Sequence, residues 1–419
     1  MRVLFILMDK YPYYGSCTSL LNKMINEGEL SHRLDHIDVM SVKPEFSTPD
    51  YEVIDNISVY RILSWKYLRP DEIKKAFKTS PYQGFKGLFY KSSWRITAKI
   101  FHGKLICREI ERKVYKALKA MNASEYDAII PVVGDFSVIK AVTRFIKKYN
   151  GPKVIVYQMD PCGRNAVLNP HFQKRRELFE RNYVHLFHAI LTTAIIKQEQ
   201  LEYILPEDHE KIIVVEQPNI GKSSPLPVKT DVHNNVWKCI YTGKLDKWYR
   251  NPDYALSLMN EISKKVPLKF HIIGASETAV DPEYRYPDVV WHGVMNLDDT
   301  KEMISGADFL INIGNLMQNQ VPSKIFEYIS TGKPIINFCK TEQCPTIPYF
   351  EQYGNAINIM ESKPNFENNI STVLDFMHSH VDKVIPYETI KSEFYHCTAE
   401  YCAVQLSDTI YKTATGTNS

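Results

Sequence analysis

Residues 304–337 constrain the fold most. The sequence ISGADFLINIGNLMQNQVPSKIFEYISTGKPIIN reads as strand, polar loop, helix, turn and strand. Residues 309–313 are a short apolar run, as expected of a buried strand. Residues 314–320 form a polar loop with no charged side chain. Pro322 suits a helix start, where its missing N–H is not needed. Ile325, Tyr328 and Ile329 have helical spacing, Gly332 fits a C-cap, and residues 334–338 begin the next strand. A helix opening on Ser323 and Lys324 aims free amides and a cation at one place, which suits an anion. Glu327 follows one turn later.

The same alternation runs through the chain. Strands are expected at 2–8, 37–42, 127–133, 154–158, 188–192 and 212–215, with helices at 18–26 and near 137–148. Residues 218–235 are polar and rich in Pro, Ser and Gly, which marks a linker. Strands then restart at 238–241, 269–273 and 289–292, with helices at 252–264 and 298–305 and a last strand at 356–360. The expected class is α/β, with two doubly wound Rossmann-like domains. The first spans 1–217 and the second 218–386, with a cleft where strand carboxyl ends face each other. Residues 387–412 read as helices. At 419 residues, with 44% hydrophobic and 24% charged, the chain has ample core for two domains.

No apolar run approaches the ~20 residues of a membrane-spanning helix. The N-terminal apolar run is short and has no small-residue cleavage site, so it reads as a core strand. The eight cysteines show no CxxC pattern and no usual zinc spacing, and are expected as free thiols in the cytosol. No metal site is expected. No strand is followed by GxGxxG, which argues against a dinucleotide cofactor.

Residues 243–252, GKLDKWYRNP, follow the first strand of the second half. A strand-to-helix turn with three cations suits a diphosphate leaving group, and Arg250 and Lys244 are the candidates. Lys247 reads equally as a solvated cation. Asp135, after Gly134, and Asp160 lie at strand carboxyl ends. Each can act as a base on an acceptor hydroxyl or touch a transferred sugar, and each can equally be an N-cap. Arg164 is a candidate for binding charge on a substrate.

The stretch PSKIFEYISTGKPII resembles the donor half of GT-B sugar-nucleotide glycosyltransferases, nearest the family-four-like bacterial enzymes of capsule and exopolysaccharide synthesis. That family carries two glutamates with seven residues between them. Glu327 matches the second, and Asn319 stands where the first would be. The resemblance implies that Glu327 holds the donor ribose and that Ser323 and Lys324 face its phosphates. It implies that Gly243, Gly274 and Gly293 border the nucleotide, and that Gly15-Ser16 matches the glycine-rich loop of the first half. Residues 218–220, PNI, resemble the family's hinge, and the residues at 387–419 are expected to cross back to the first domain. The family's usual histidine near Asp160 is absent. The implied reaction moves a sugar, with retention, from a nucleoside diphosphate sugar to a glycan or lipid-linked glycan in bacterial surface-polysaccharide synthesis. In that case the leaving phosphate can take the acceptor proton. The nucleotide sugar is a substrate, and no cofactor is implied. A sugar-nucleotide epimerase of the same shape and a non-catalytic nucleotide-sugar binder are the alternatives.

Residues 64–120 hold fifteen Lys and Arg against four acids, in a chain whose net charge is only +3. Aromatics including Trp65, Tyr67, Phe85 and Trp94 are interleaved. This pattern suits peripheral contact with an anionic membrane, here the inner face of the cytoplasmic membrane. The plain alternative is a helical excursion with a solvated basic face. Single-stranded nucleic acid would use the same ingredients, but nothing else in the sequence points to it.

Overall fold

The chain's computed structural model describes residues 1–13, 15–64, 67, 106–133, 135–159, 170–222, 236–275, 278 and 280–416. The chain divides into two compact units. One comprises Met1–Pro218 with Ala399–Ser419, the other Asn219–Thr398.

The first unit contains β1 (Arg2–Leu7), α1 (Ser16–Asn26), α2 (Leu30–Arg33), β2 (His36–Val42), β3 (Tyr51–Ile54) and β4 (Ile57–Ile62). It continues with α3 (Arg108–Ala120), β5 (Ala128–Val132), α4 (Phe136–Ile146), β6 (Lys153–Gln158), α5 (Pro170–Tyr183), β7 (Ala189–Thr192), α6 (Ala194–Leu201) and β8 (Ile212–Val214). The strand order is β3-β4-β2-β1-β5-β6-β7-β8. Every pairing is parallel except β3 with β4.

Parallel strands covered on both faces need apolar side chains on both sides. In β1, Val3, Phe5 and Leu7 enter one core, while Leu4 and Ile6 enter the other. That is the period-two alternation of a strand with no solvent face.

The antiparallel β3–β4 hairpin was not expected from the sequence. Its two-residue loop is Asp55-Asn56, with φ of 49° and 65°. Asp and Asn tolerate that left-handed backbone, which matches the right-handed twist of the flanking strands.

The second unit contains β9 (Trp237–Thr242), α7 (Asp253–Ser263), β10 (Leu268–Ile273), β11 (Val289–Gly293), α8 (Leu297–Ser305) and β12 (Phe309–Ile313). It continues with α9 (Lys324–Ile329), β13 (Ile335–Cys339), α10 (Ile347–Tyr353), β14 (Ala356–Met360), α11 (Phe366–His380) and α12 (Tyr387–Glu393). Its six strands run β11-β10-β9-β12-β13-β14, all parallel.

The last helix, α13 (Ala399–Thr415), belongs to the first unit. Cys402, Ala403, Leu406 and Ile410 pack in the core that holds Val3 and Phe5. The sequence reading gave all of 387–419 to the first domain, and the structure corrects this: 387–398 stay with the second unit. Gln352 Nε2, on α10, donates to Glu393 O at 2.9 Å, and Ile220 N to Cys397 O at 2.9 Å, which ties the segment to the second unit.

Among the described residues, no helix is long and apolar enough to cross a membrane.

Candidate functional site

The carboxyl edge of the second sheet ends in glycine on four neighbouring strands. Gly293 closes β11, and Gly274, Gly243 and Gly314 directly follow β10, β9 and β12. Three of them have positive φ, at 68°, 91° and 145° for Gly293, Gly274 and Gly243. The strand ends are tied sideways, with Gly274 N to Gly293 O at 2.6 Å, Gly243 N to Ile273 O at 2.8 Å and Gly314 N to Phe338 O at 2.8 Å. A Cβ at Gly274 would lie 3.0 Å from Gly243 O, so this close approach needs glycine. The result is a row of strand ends without side chains, which lets a ligand approach the backbone at a parallel-sheet edge. Sequence reading named three of these glycines as site residues and passed over Gly314.

Two loops and one helix meet at the end of β9. Tyr328, on α9, is fully buried, and its hydroxyl accepts from Thr242 N at 2.7 Å and lies 3.0 Å from Thr242 Oγ1. This fixes the helix that carries Lys324 and Glu327 beside the residue preceding Gly243. In the 243–252 loop, Asp246 accepts from the amides of Trp248 at 2.9 Å, Tyr249 at 2.6 Å and Arg250 at 3.4 Å. Burial opposes ionisation of Asp246. The three amide donors and the Lys244 charge outweigh it and hold the carboxyl below its ordinary value. Tyr249 then bridges to the loop after β12, with its hydroxyl donating to Gln320 Oε1 at 2.5 Å.

Arg250 is half-buried beside the phenol of Tyr241. Its Nε is buried and has no hydrogen-bond partner among the described residues. Burial raises the Tyr241 phenol, and the Arg250 charge and hydrogen bond partly offset that. A half-buried guanidinium with donor capacity left over is suited to an anion. Lys244 is exposed in the same loop.

Helix α9 is shorter than expected, at six residues, and Ser323 at its N-cap is exposed and makes no side-chain cap. One and a half turns supply little dipole, so anion affinity here rests on side chains. Lys324 Nζ pairs with Glu327 Oε2 at 2.9 Å, both partly exposed. Asn319 is half-buried in the loop beside Gln320.

Behind this edge lies a polar ladder that the sequence reading missed. Asn312, Asn337 and Asn358 face each other in register across β12, β13 and β14. Asn312 Nδ2 donates to Asn337 Oδ1 at 2.7 Å, and Asn337 Nδ2 to Asn358 Oδ1 at 2.7 Å. The recurring triplets Ile-Asn-Ile, Ile-Asn-Phe and Ile-Asn-Ile at 311–313, 336–338 and 357–359 were the available signal.

In the first unit the turn at Gly15 and the candidate Asp135 are engaged internally. Gly15 precedes α1 at φ 135°, and a Cβ there would sit 2.2 Å from Asp9 Cγ. Asp9 Oδ2 accepts from Cys17 N at 2.8 Å and Thr18 N at 3.2 Å. The first amides of α1 after Gly15-Ser16, those of Cys17 and Thr18, therefore already hold a carboxylate. A cavity of about 390 Å³ lies beside this turn, lined in part by Gly15, Thr18 and Asn22. Asp135, a candidate base, is the N-cap of α4. Its Oδ1 accepts from Ser137 N at 2.8 Å, and its Oδ2 from Tyr67 OH at 2.9 Å. With both oxygens committed and the residue buried, the capping role is the one seen. Gly134, Asp160, Arg164 and, apart from 64, 67 and 106–120, the basic segment 64–120 lie outside the described residues.

No protein-family model and no curated protein matches the sequence. Solved structures do match over nearly the whole chain. A lipopolysaccharide outer core galactosyltransferase, WaaB in its apo form, aligns with a TM-score of 0.62 at 12% identity, covering 98% of this chain and 99% of that one. An E. coli trehalose-6-phosphate protein bound with UDP-2-fluoro glucose aligns at 0.58 and 10% identity, covering 98% and 99%. A putative UDP-N-acetylglucosamine 2-epimerase from Listeria monocytogenes aligns at 0.56 and 10%, covering 100% and 97%. The chain thus has the α/β fold of the GT-B glycosyltransferases, a fold that also carries epimerases.

Proposed function

We propose that this chain is a glycosyltransferase that moves a sugar from a nucleoside diphosphate sugar to a hydroxyl of a glycan or lipid-linked glycan. The observation that carries the reading is the convergence, at the end of β9, of Gly243 and its glycine neighbours with Arg250, Lys324 and Glu327. The backbone strip takes the nucleotide. Arg250 and Lys324, with Lys244 at the loop's exposed side, neutralise the diphosphate as the bond from sugar C1 to the phosphate oxygen breaks. Glu327 accepts from the ribose hydroxyls, and Asn319 offers an amide where the resembling family has a carboxylate. The acceptor oxygen bonds to C1, and its proton passes to the leaving phosphate, which gives retention. Support for the donor class comes from the UDP-2-fluoro glucose in one protein of this fold and from the galactosyltransferase title of another.

By resemblance, the acceptor belongs to bacterial surface-polysaccharide assembly, and the basic, aromatic stretch 64–120 brings the protein to the inner face of the membrane. The deciding experiment incubates the full chain with a panel of nucleotide sugars and candidate acceptors and follows nucleoside diphosphate release. Acceptor-dependent release, with the product anomer read by proton NMR, is the expected result. The likeness to an epimerase favours a second reading, in which the nucleotide sugar isomerises and no diphosphate is released. Donor binding without either reaction would leave a non-catalytic binder. Vesicle flotation tests the membrane contact, with more binding to anionic than to neutral vesicles and loss in salt as the expected outcome.

A further inference from the structure

One cavity in the second unit is lined by none of the residues assigned to the donor. It has a volume of about 890 Å³, at the upper end of small-molecule sites, and opens where the start of α7 meets the start of α11. Its aromatic lining comes from Trp248, Tyr254, Tyr284 and Phe366, beside the aliphatic Leu316 and Pro364. The Tyr254 and Phe366 rings meet edge to face at 5.5 Å. Trp248 stands 80% exposed, a large apolar surface left in water at the rim of a cavity.

The polar part of the lining is balanced. Lys247, Lys340 and Lys363 stand against Asp253, Glu361 and Glu367. Lys340 Nζ donates to both Glu361 oxygens at 2.6 Å and to the Asn251 carbonyl at 2.5 Å, so the wall is held rigidly. An anionic polymer or a free polyphosphate calls for an excess of cations, and there is none here. A purely apolar ligand would desolvate this charged wall and offer its polar groups no hydrogen bond. A pyranose ring meets both requirements. Its C–H face lies against an aromatic plane, and its hydroxyls both donate to carboxylates and accept from ammonium and amide groups.

We propose that this cavity is a binding subsite for a neutral oligosaccharide, separate from the donor site, with Trp248 and Tyr284 as its stacking platforms. Binding there requires no turnover and does not depend on the transferase reading. In an enzyme that extends a glycan, such a subsite holds the chain at a distance from the reacting hydroxyl.

The test titrates the full chain, by calorimetry and saturation-transfer NMR, with short neutral α-glucans, β-glucans, galactans and mannans, with polyuronate fragments and uridine diphosphate alongside. At least one neutral series should bind at millimolar concentration or tighter. Trp248→Ala, at an exposed position whose backbone bond to Asp246 is kept, should weaken that binding by about tenfold or more, the scale of one lost aromatic contact. Tyr284→Ala should do the same, and uridine diphosphate affinity should stay unchanged in both. The proposal is overturned if no neutral oligosaccharide binds, if binding survives both substitutions, or if polyuronates bind better than every neutral chain in a Trp248-dependent way. Failure of the transferase reading looks different, because donor turnover would be absent while oligosaccharide binding persisted.

Discussion

The turn after β1 and the turn after β9 occupy equivalent places in their sheets and spend their carboxylates differently. Asp9 reaches across Gly15 to the first amides of α1, so that helix start is closed by the protein's own anion. Asp246 instead accepts amides from its own loop, at Trp248, Tyr249 and Arg250. That leaves the Arg250 guanidinium half-buried with its Nε unpartnered among the described residues, next to a row of glycine strand ends. Two Rossmann-like units thus share a plan, but one satisfies its anion site internally and the other presents cations. Asp135 repeats the first pattern on α4, where Ser137 and Tyr67 take both of its oxygens. Fold likeness alone does not distinguish the two edges; the partners of their carboxylates do.

The strongest way to break this contrast is Gly15→Ala. The new Cβ would sit 2.2 Å from Asp9 Cγ at a φ of 135°. Backbone strain of about 1–3 kcal/mol adds to a cap loss of about 0.5–2 kcal/mol. Calorimetry should show the first unit melting several degrees lower, with uridine diphosphate affinity kept. A normal melting profile would show that Asp9 is not the group requiring glycine.

Next in size are the cations and acid of the second edge. Arg250→Gln and Glu327→Ala should each lower donor affinity or turnover by about ten- to hundredfold, the worth of a charge-assisted hydrogen bond at roughly 1.5–3 kcal/mol. Arg250→Gln should weaken nucleoside diphosphate alone to the same degree. Glu327→Ala should also weaken the nucleoside lacking phosphate, because its partner is the ribose. Intact product binding in both variants would move the site elsewhere.

Asp9→Ala sharpens the comparison from the other side. It removes the closing carboxylate without strain and should cost about 0.5–2 kcal/mol of stability. Donor kinetics should be untouched. A donor defect as large as that of Arg250→Gln would make the first edge part of the nucleotide site.

The smallest expected effect is in pH. His271 is held below the ordinary imidazole value of 6.5 by burial first, then by His292, Lys238 and Lys269. A base with a depressed folded pKa protonates more readily in the unfolded chain. Its stabilising contribution is therefore complete above pH 6.5 and lost as pH falls through the lower folded value. His188 in the first unit is lowered likewise, by burial and then by Lys153 and Lys211. Acidification from neutral pH should thus lower both melting transitions, and His271→Gln should remove part of that dependence from the second unit alone. An unchanged pH slope in the variant would assign the acid sensitivity to other groups.

Most strands were legible because a buried parallel strand must be a short run of apolar residues, and 2–7, 309–313 and 335–339 are such runs. The β3–β4 hairpin was missed although Asp55-Asn56 is a turn signal, because the exposed, alternating residues of β3 do not form a run. Local spacing puts Lys324, Arg250 and the glycines at strand ends or a helix start, while the roles of Glu327 and the glycines came from the family resemblance. Tyr328, Gln320 and the asparagine ladder could not be assigned that way, since their partners lie 86, 71 and 21–25 residues away in the chain.

The sequence by itself determined the alternation of strands and helices, the two-unit division near residue 218 and the residue types gathered at strand ends, because each follows from local periodicity and turn chemistry. Only the tertiary structure decided which of those residues remain available to a ligand. Whether a carboxylate such as Asp9, Asp135 or Asp246 caps a helix, braces a loop or faces a substrate depends on which amides and hydroxyls folding brings within about 3 Å. Helix and strand spacing along the chain do not encode that.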